Sequence, residues 1–288
     1  MPPVPAGALP RRPGPTVRTR VEEHRADGGP RRREDRLVTE EPLEVRLAWP
    51  GAAERRVWVT MRTPGHDFEL AVGWLRHEGI LRGADHLARV AYCTDADLTP
   101  EQAFNVVTVT LAAPPAHEPG HRHVAASAGS SACGVCGADS VADALAVSAD
   151  APWAGRTASA AVVRGLPEAM RGQQTLFERT GALHAAALAT ADGEVLVTRE
   201  DVGRHNAVDK VTGTRLLAGA SPAEACLVVS GRAGFELVQK AVSVGTGALV
   251  AVGAPTSLSV RLASEHGLAL WAFTSSERAV LFTGASDR

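Results

Sequence analysis

The chain has 288 residues, of which 45% are hydrophobic and 22% are charged, and its formal net charge is −2. This composition is typical of a soluble globular protein, and the length suits one large domain or two smaller ones. A charge this close to zero gives no general electrostatic basis for binding nucleic acid or a membrane surface, and four cysteines are too few for a disulfide scaffold. No segment is long and apolar enough to span a membrane, and no apolar export segment follows the N-terminal arginines. The sequence therefore predicts a cytoplasmic protein that binds neither nucleic acid nor membrane.

The N-terminal part of the chain is predicted to be a disordered tail followed by a small α/β domain. Residues 1–36 are rich in Pro, Arg and Gly and poor in large apolar side chains, which is typical of disorder. Asp67 is placed to cap a helix that has an apolar face, and Gly79 is placed to end that helix. Alternating or apolar segments predict strands at 43–49, 55–61, 88–93 and 104–111. We therefore predict a small α/β domain over residues 37–125.

The C-terminal part, residues 126–288, is predicted to be a layered α/β domain. It follows an irregular, mobile loop at 112–132, and a helical pattern resumes at 139–147. Strand-like and helix-like segments then alternate, which is typical of layered α/β folds. Within one helix, Glu236 and Lys240 are spaced to form an i, i+4 ion pair. The predicted strands are 182–190, 194–199, 225–229, 249–252 and 268–273, and the predicted helices are 167–179, 206–217, 235–242 and 258–265.

The most informative motif is the pair Cys133 and Cys136, two residues apart and flanked by glycines at the end of the irregular loop. Thiols at this spacing can share a metal, form a disulfide or transfer sulfur. A structural zinc site needs four ligands, and Cys93 and Cys226 stand alone in strand-like segments. The loop histidines, His117, His121 and His123, follow no established ligand spacing.

Two other functions of a Cys-x-x-Cys motif fit less well than sulfur transfer. A thioredoxin-like pair follows a strand, whereas Cys133 follows a loop of small residues. A deaminase needs Pro before the first cysteine and an H-x-E motif, and the chain has neither. An exposed, movable thiolate is what persulfide transfer requires. A sulfur carrier therefore fits best, and the alternative is a non-catalytic partner-binding module with structural zinc on the cysteine pair.

Eight short stretches between residues 36 and 284 form a specific pattern. They are 67–73 (DFELAVG), 78–80 (EGI), 133–137 (CGVCG), 180–186 (TGALHAA), 200–210 (EDVGRHNAVDK), 230–232 (SGR), 238–240 (VQK) and 273–278 (FTSSER). In this order and spacing, they resemble the FdhD family, the accessory sulfurtransferases of formate dehydrogenase.

The resemblance implies a sulfurtransferase that matures a molybdenum cofactor. Cys133 would take persulfide sulfur from a cysteine desulfurase, with Cys136 as its motif partner. The sulfur acceptor would be molybdenum bis(molybdopterin guanine dinucleotide), which is then inserted into formate dehydrogenase. The family's cofactor-binding stretch aligns with Phe273, Thr274, Ser275, Ser276, Glu277 and Arg278. Hydroxyl groups and a guanidinium are suited to binding phosphate oxygens.

The resemblance also implies a cytidine-deaminase-like core domain, a smaller appended α/β domain and a homodimer. It leaves the stretch 200–206 open. Arg204 or His205 would face the cofactor phosphates in one interpretation. In the other, Asp201 caps the following helix and Gly203 permits the turn.

Overall fold

The computed structural model describes residues 12–95, 97–117, 119 and 150–284. It confirms a mixed α/β architecture, built from three β-sheets and the helices packed on them. Cys133, Cys136, the histidines His121 and His123 and the helix predicted at 139–147 lie outside the described residues.

An antiparallel hairpin occupies most of the segment that was predicted to be disordered. Strands β1 (Thr16–Glu23) and β2 (Arg31–Val38) pair along their whole length. The register places Glu22 opposite Arg32 and Glu23 opposite Arg31, so cross-strand charges attract. The prediction of disorder over residues 1–36 is wrong from Thr16 onward. It rested on the Pro, Arg and Gly content of the whole segment, which does not reveal the pairing of charged residues between the two strands.

The next four strands form a mixed sheet in the order β4-β3-β6-β5, with α1 packed on it. Strands β3 and β6 are parallel, and the other two pairs are antiparallel. Trp58 of β4 stacks on Trp74 of α1, with ring centroids 4.6 Å apart. The bounds are β3 Glu41–Trp49, β4 Ala52–Arg62, α1 Asp67–His77, β5 Leu87–Tyr92 and β6 Val106–Leu111, with a 3₁₀ turn at Ala84–His86.

The start of α1 differs from the prediction. The N-cap is His66, in a left-handed conformation, and Asp67 is the first helical residue. The Asp67 carboxylate instead forms a buried bidentate pair with Arg62, at 3.0 and 3.1 Å, and accepts the hydroxyl of Tyr92. Gly79, with φ of 70°, follows the helix end as predicted.

The C-terminal half contains a six-stranded sheet in the order β12-β11-β10-β9-β7-β8. The strands are β7 His184–Ala189, β8 Val195–Asp201, β9 Cys226–Val229, β10 Ala248–Ala251, β11 Ala269–Ala272 and β12 Val280–Thr283. The helices are α2 Ala160–Arg171, α3 Thr175–Thr180, α4 Arg204–Leu217, α5 Phe235–Ser243 and α6 Ser257–Glu265. One face of the sheet packs on α4, α5 and α6, and the opposite face packs on α2.

Two predictions in this half are wrong in detail. The helix predicted at 167–179 is two helices, because α2 begins after the Ser159 cap, contains Pro167 and ends before Gly172. Glu236 and Lys240, which were predicted to pair with each other, pair with His205 and Asp209 of α4. Strand β12 was not predicted.

The two halves are joined where α1 crosses α4. Gly73 and Gly213 lie at the crossing, and a side-chain carbon at either would overlap a backbone carbonyl of the facing helix. Next to it, Lys210 is fully buried, pairs with Asp201 at 2.7 Å and donates to the carbonyl of Thr63 at 3.0 Å. The predicted boundary at residues 125–126 lies outside the described residues, so it and the cytidine-deaminase-like assignment stay predictions.

Candidate functional site

The candidate cofactor-binding stretch, Phe273–Arg278, lies at one edge of the six-stranded sheet. Strands β8, β9, β10 and β11 run in the same direction, so their carboxyl ends meet at this edge, which we call the carboxyl edge. Helices α4, α5 and α6 begin there, at the N-caps Gly203, Gly234 and Thr256. In open α/β sheets this edge is where ligands bind, and helix N-termini favour anions.

Phe273 has an unusual backbone conformation. Its φ is 51°, a left-handed conformation that is rare for a bulky residue, and its N–H donates to the carbonyl of Gly253 at 3.1 Å. The side chain is 41% exposed, and the Arg278 guanidinium lies 5.3 Å from the ring centroid. Backbone strain of this kind concentrates at functional sites. The ring is therefore presented at the edge and is available to a ligand.

The rest of the stretch is a tight polar turn with one buried hydroxyl. Backbone hydrogen bonds join Ser275 and Arg278 in both directions, at 2.7 and 3.2 Å, and residues 275–278 are exposed. Thr274 is only 2% exposed, and its Oγ1 has no hydrogen-bond partner in the described part of the chain. An unsatisfied buried hydroxyl is costly, so a ligand or water is its natural partner.

The contacts of Asp201 agree with its structural interpretation, and the ligand-binding interpretation of Arg204 stays a prediction. Its Oδ1 accepts the N–H of Gly203 at 2.8 Å and the side-chain amide of Asn206 at 3.0 Å, and its Oδ2 pairs with Lys210. Asp201 is therefore a structural residue that holds the turn before α4. Arg204, the first residue of α4, is half-buried and makes no such contact.

His184 is a site residue that sequence reasoning did not single out. It begins β7, which lies between β8 and β9, and its Nδ1 is 3.4 Å from the hydroxyl of Ser230. Burial, followed by the charges of Arg204 and His205, lowers the pKa of His184. The only sequence signal was its place within the stretch 180–186.

Three arginines lie at the carboxyl edge. Arg204, Arg232 and Arg278 form no ion pair with any carboxylate among the described residues. Four acidic side chains lie there as well: Asp201 is paired with Lys210, Glu236 is paired with His205, Glu200 accepts two backbone N–H groups of α3, and Glu277 is exposed. Three such arginines beside three helix N-termini suit a ligand with several phosphate groups.

The two described cysteines are unsuited to sulfur transfer or metal binding. Cys226 is buried, which raises its pKa to about 12. In the part of the chain that the structure describes, only Glu54, Cys93 and Asp95 are close enough to share a metal ion. Arg46 Nη1 contacts all three, at 3.2, 3.7 and 3.3 Å, so a guanidinium already occupies the place that a cation would need.

The model of the FdhD/NarQ family matches residues 38–288. The chain belongs to the FdhD/NarQ family. The match includes both the cysteine pair and the stretch at the carboxyl edge, so the earlier resemblance is confirmed.

Curated FdhD proteins are similar to nearly the whole chain. The chain is 46% identical over 276 residues to the Sulfur carrier protein FdhD of Mycolicibacterium paratuberculosis, with 94% of this chain and 97% of that protein covered. It is 45% identical over 261 residues to the Sulfur carrier protein FdhD of Streptomyces avermitilis, with 86% of each chain covered.

A solved structure has the same fold. The crystal structure of a candidate formate dehydrogenase accessory protein from Desulfotalea psychrophila superposes with a TM-score of 0.71. It is 22% identical and covers 93% of this chain and 97% of its own, so it supports the FdhD fold found here. None of the described helices has the length and apolar character needed to cross a membrane.

Proposed function

We propose that this protein is a cytoplasmic sulfurtransferase that carries sulfur on Cys133 to a molybdenum cofactor. The observation that carries the proposal is the carboxyl edge, which holds three arginines without a described carboxylate partner and the strained Phe273. Curated relatives that are named sulfur carriers support the same function.

The first step is an exchange between thiols. The Cys133 thiolate attacks the outer sulfur of a persulfide on a cysteine desulfurase, and the desulfurase cysteine leaves as a thiolate. One S–S bond forms and one breaks, so no external oxidant is needed. Cys136 is proposed as the partner of Cys133. Cys226 and Cys93 take no part, because burial raises the pKa of both thiols.

The proposed sulfur acceptor is molybdenum bis(molybdopterin guanine dinucleotide), bound at the carboxyl edge as a substrate. The residues there fit it on two grounds: the unpaired arginines suit its phosphate groups, and the orphaned Thr274 hydroxyl can bond an oxygen. The whole stretch Phe273–Arg278 is proposed to bind this cofactor. The receiving enzyme is a formate dehydrogenase, and the carrier acts as a homodimer.

Intact-mass spectrometry after incubation with a cysteine desulfurase and cysteine tests the proposal. We expect a gain of one sulfur that a reductant removes and that Cys133→Ala abolishes. Cys93→Ser is the matched control and keeps the gain, because the Cys93 thiol is held beside Arg46. Cys136→Ala measures how far the partner cysteine is needed.

One result would reject the carrier function. If the wild-type protein gains no sulfur and instead holds one zinc ion that is lost in both Cys133→Ala and Cys136→Ala, the pair is a structural metal site. The protein would then be a partner-binding module.

A further inference from the structure

A second cationic group lies on the carboxyl edge, away from Phe273–Arg278. Arg204 and His184 flank the peptide of Gly231, which follows β9. A side-chain carbon at Gly231 would lie 3.5 Å from the His184 ring and 3.9 Å from Cδ of Arg204. Strand β9 is two positions from β11, and adjacent strands are about 5 Å apart. The backbones of the two groups are therefore about 10 Å apart, so the groups occupy different parts of the edge.

The charges of this second group are not balanced within the described residues. Arg204 has no ion-pair partner there, and His205 pairs with Glu236 at 2.6 Å. Asp201 is the acidic group that acts on His184, and it opposes the effects of burial, Arg204 and His205. Arg204 is therefore a fixed positive charge without a described counter-ion, and it disfavours the charged form of His184. The arrangement fits a site whose counter-ion arrives with the ligand.

The carboxyl edge has an apolar end and a basic end. The exposed apolar side chains Val252, Phe273 and Phe282 lie at the β10–β12 end, where the rings of Phe273 and Phe282 are 6.3 Å apart. The pair Arg204 and His184 lies at the β7–β8 end. A nucleotide has the same polarity, with a flat base at one end and phosphates at the other.

We propose that Arg204 and His184 bind a phosphate group of the guanine nucleotide whose base lies against Phe273. The inference rests on the proposed function, since it assigns an orientation to the same cofactor. Arg204 can bind two phosphate oxygens through parallel N–H groups, and His184 donates one further hydrogen bond. Because Gly231 has no side chain, the space between the two groups stays open to the ligand.

Phosphate binding at this position is coupled to proton uptake. His184 is neutral near pH 7 in the free protein, because burial and its cationic neighbours lower its pKa. A phosphate dianion beside the ring favours the charged imidazole and raises that pKa again. The nucleotide therefore binds more tightly as the pH falls, and each binding event takes up part of a proton.

Isothermal titration of the full chain with GDP and with guanosine tests the orientation. We expect the wild-type protein to bind GDP more tightly than guanosine. Arg204→Gln should lower the GDP affinity about tenfold to a hundredfold and leave the guanosine affinity within about twofold. Arg261→Gln, on the exposed side of α6, is the control that keeps both affinities. Arg204→Lys keeps the charge but not the paired N–H groups, so it should fall in between.

The outcomes separate this inference from the proposed function. If the wild-type protein binds neither GDP nor guanosine, the proposal that the cofactor binds at the carboxyl edge is wrong. The proposed orientation of the nucleotide is then wrong as well. If it binds GDP and Arg204→Gln keeps the full preference for GDP over guanosine, only the orientation is overturned. Thermal unfolding of each variant shows whether a lost affinity reflects a lost fold.

Proton uptake gives a second, independent readout. Titrations with GDP at pH 7 in two phosphate-free buffers of different ionisation enthalpy give the number of protons bound. We expect the wild-type protein and Arg261→Gln to take up more protons than His184→Gln, in which only the phosphate of the nucleotide, with a second pKa of about 6, exchanges protons on binding. Equal uptake in wild type and His184→Gln would contradict a phosphate next to His184.

Discussion

Phe273 combines backbone strain with an exposed aromatic ring. A left-handed conformation costs a non-glycine residue roughly 1–2 kcal/mol. The backbone hydrogen bond to Gly253 and the buried Thr274 that follows it hold this conformation in place. The left-handed conformation is consistent with a role in ligand binding, because it holds the Phe273 ring at the sheet edge.

Replacing Phe273 by Gly and by Ala tests whether the strain is real. Glycine normally destabilises a protein relative to alanine, but at a positive φ the order reverses. We expect Phe273→Gly to be more stable than Phe273→Ala by about 1 kcal/mol in urea unfolding. Leu281, which pairs with Trp271 in strand β12, is the control, and there the alanine variant should be the more stable one. The same order at both positions would argue against strain at Phe273.

The residues of the site could be predicted only in part. The stretch 273–278 was assigned through the resemblance to the FdhD family, because its residues alone indicate only a polar turn between strands. His184 could not be found from the sequence pattern, because it meets Arg204 and Gly231 only after β7 inserts between β8 and β9. Periodicity identifies a strand but not its neighbours in a sheet, so contacts that depend on strand order stay hidden.

At the scale of secondary-structure elements, the crossing of α1 and α4 joins the two halves of the molecule. Both helices present a glycine, so their backbones approach more closely than side chains would allow. The bidentate pair of Arg199 with Glu69, at 3.0 and 2.9 Å, lies beside the crossing and joins the same two halves.

Substitutions at the crossing should destabilise the protein strongly. In Gly73→Ala or Gly213→Ala, the new methyl group overlaps a backbone carbonyl that cannot move alone, and we expect a loss of about 2–4 kcal/mol. Gly165→Ala in α2 is the matched control. Nothing lies near its side-chain position, so it should stabilise the protein by roughly 0.5–1 kcal/mol. Thermal unfolding measures the stability of all three variants. If Gly73→Ala is as stable as the wild-type protein, α1 and α4 can move apart without a loss of stability.

Helices and strands with strong hydrophobic periodicity were predicted correctly from the sequence. The helix expected at 206–217 and the strand at 225–229 agree with α4 and β9 to within two residues. The wrong predictions have local causes. Pro167 was interpreted as the start of a helix, but it lies in the middle of α2. The hairpin of β1 and β2 is held by charged cross-strand pairs, which a search for apolar alternation does not detect.

On the scale of the whole molecule, a buried polar network links α1, α4 and α5. Asp209 accepts hydrogen bonds from His77 and Lys240, both at 2.6 Å, and Thr212 contacts the other ring nitrogen of His77. Burial, with the charges of Lys240 and Arg76, lowers the pKa of His77 to about 4, although Asp209 acts in the opposite direction.

This network makes the stability of the protein depend on pH. In the unfolded chain His77 binds a proton near pH 6.5, whereas in the folded protein it does so only near pH 4. Between these values the unfolded state binds more protons, so the free energy of unfolding falls as the pH falls. We expect a loss of up to about 3 kcal/mol between pH 7 and 4, measured by urea unfolding.

His77→Gln should flatten that part of the pH profile, and His266→Gln, at the partly exposed end of α6, should leave it unchanged. An unchanged slope in His77→Gln would assign the effect to other groups. Below this range Asp209 adds to the loss. Burial alone would raise its pKa, but Lys240 and His77 outweigh that effect and lower it.

The crossing of α1 and α4 has a consequence for the synthesis of the protein. Ribosomes release the chain from its N-terminus, and domains generally fold as they emerge. Helix α1 leaves the ribosome long before α4, yet the face around Gly73 has its packing partner only in α4. The face of α1 around Gly73 therefore stays exposed to solvent until α4 has been translated. During that interval the nascent chain offers a chaperone a surface that the finished protein no longer has.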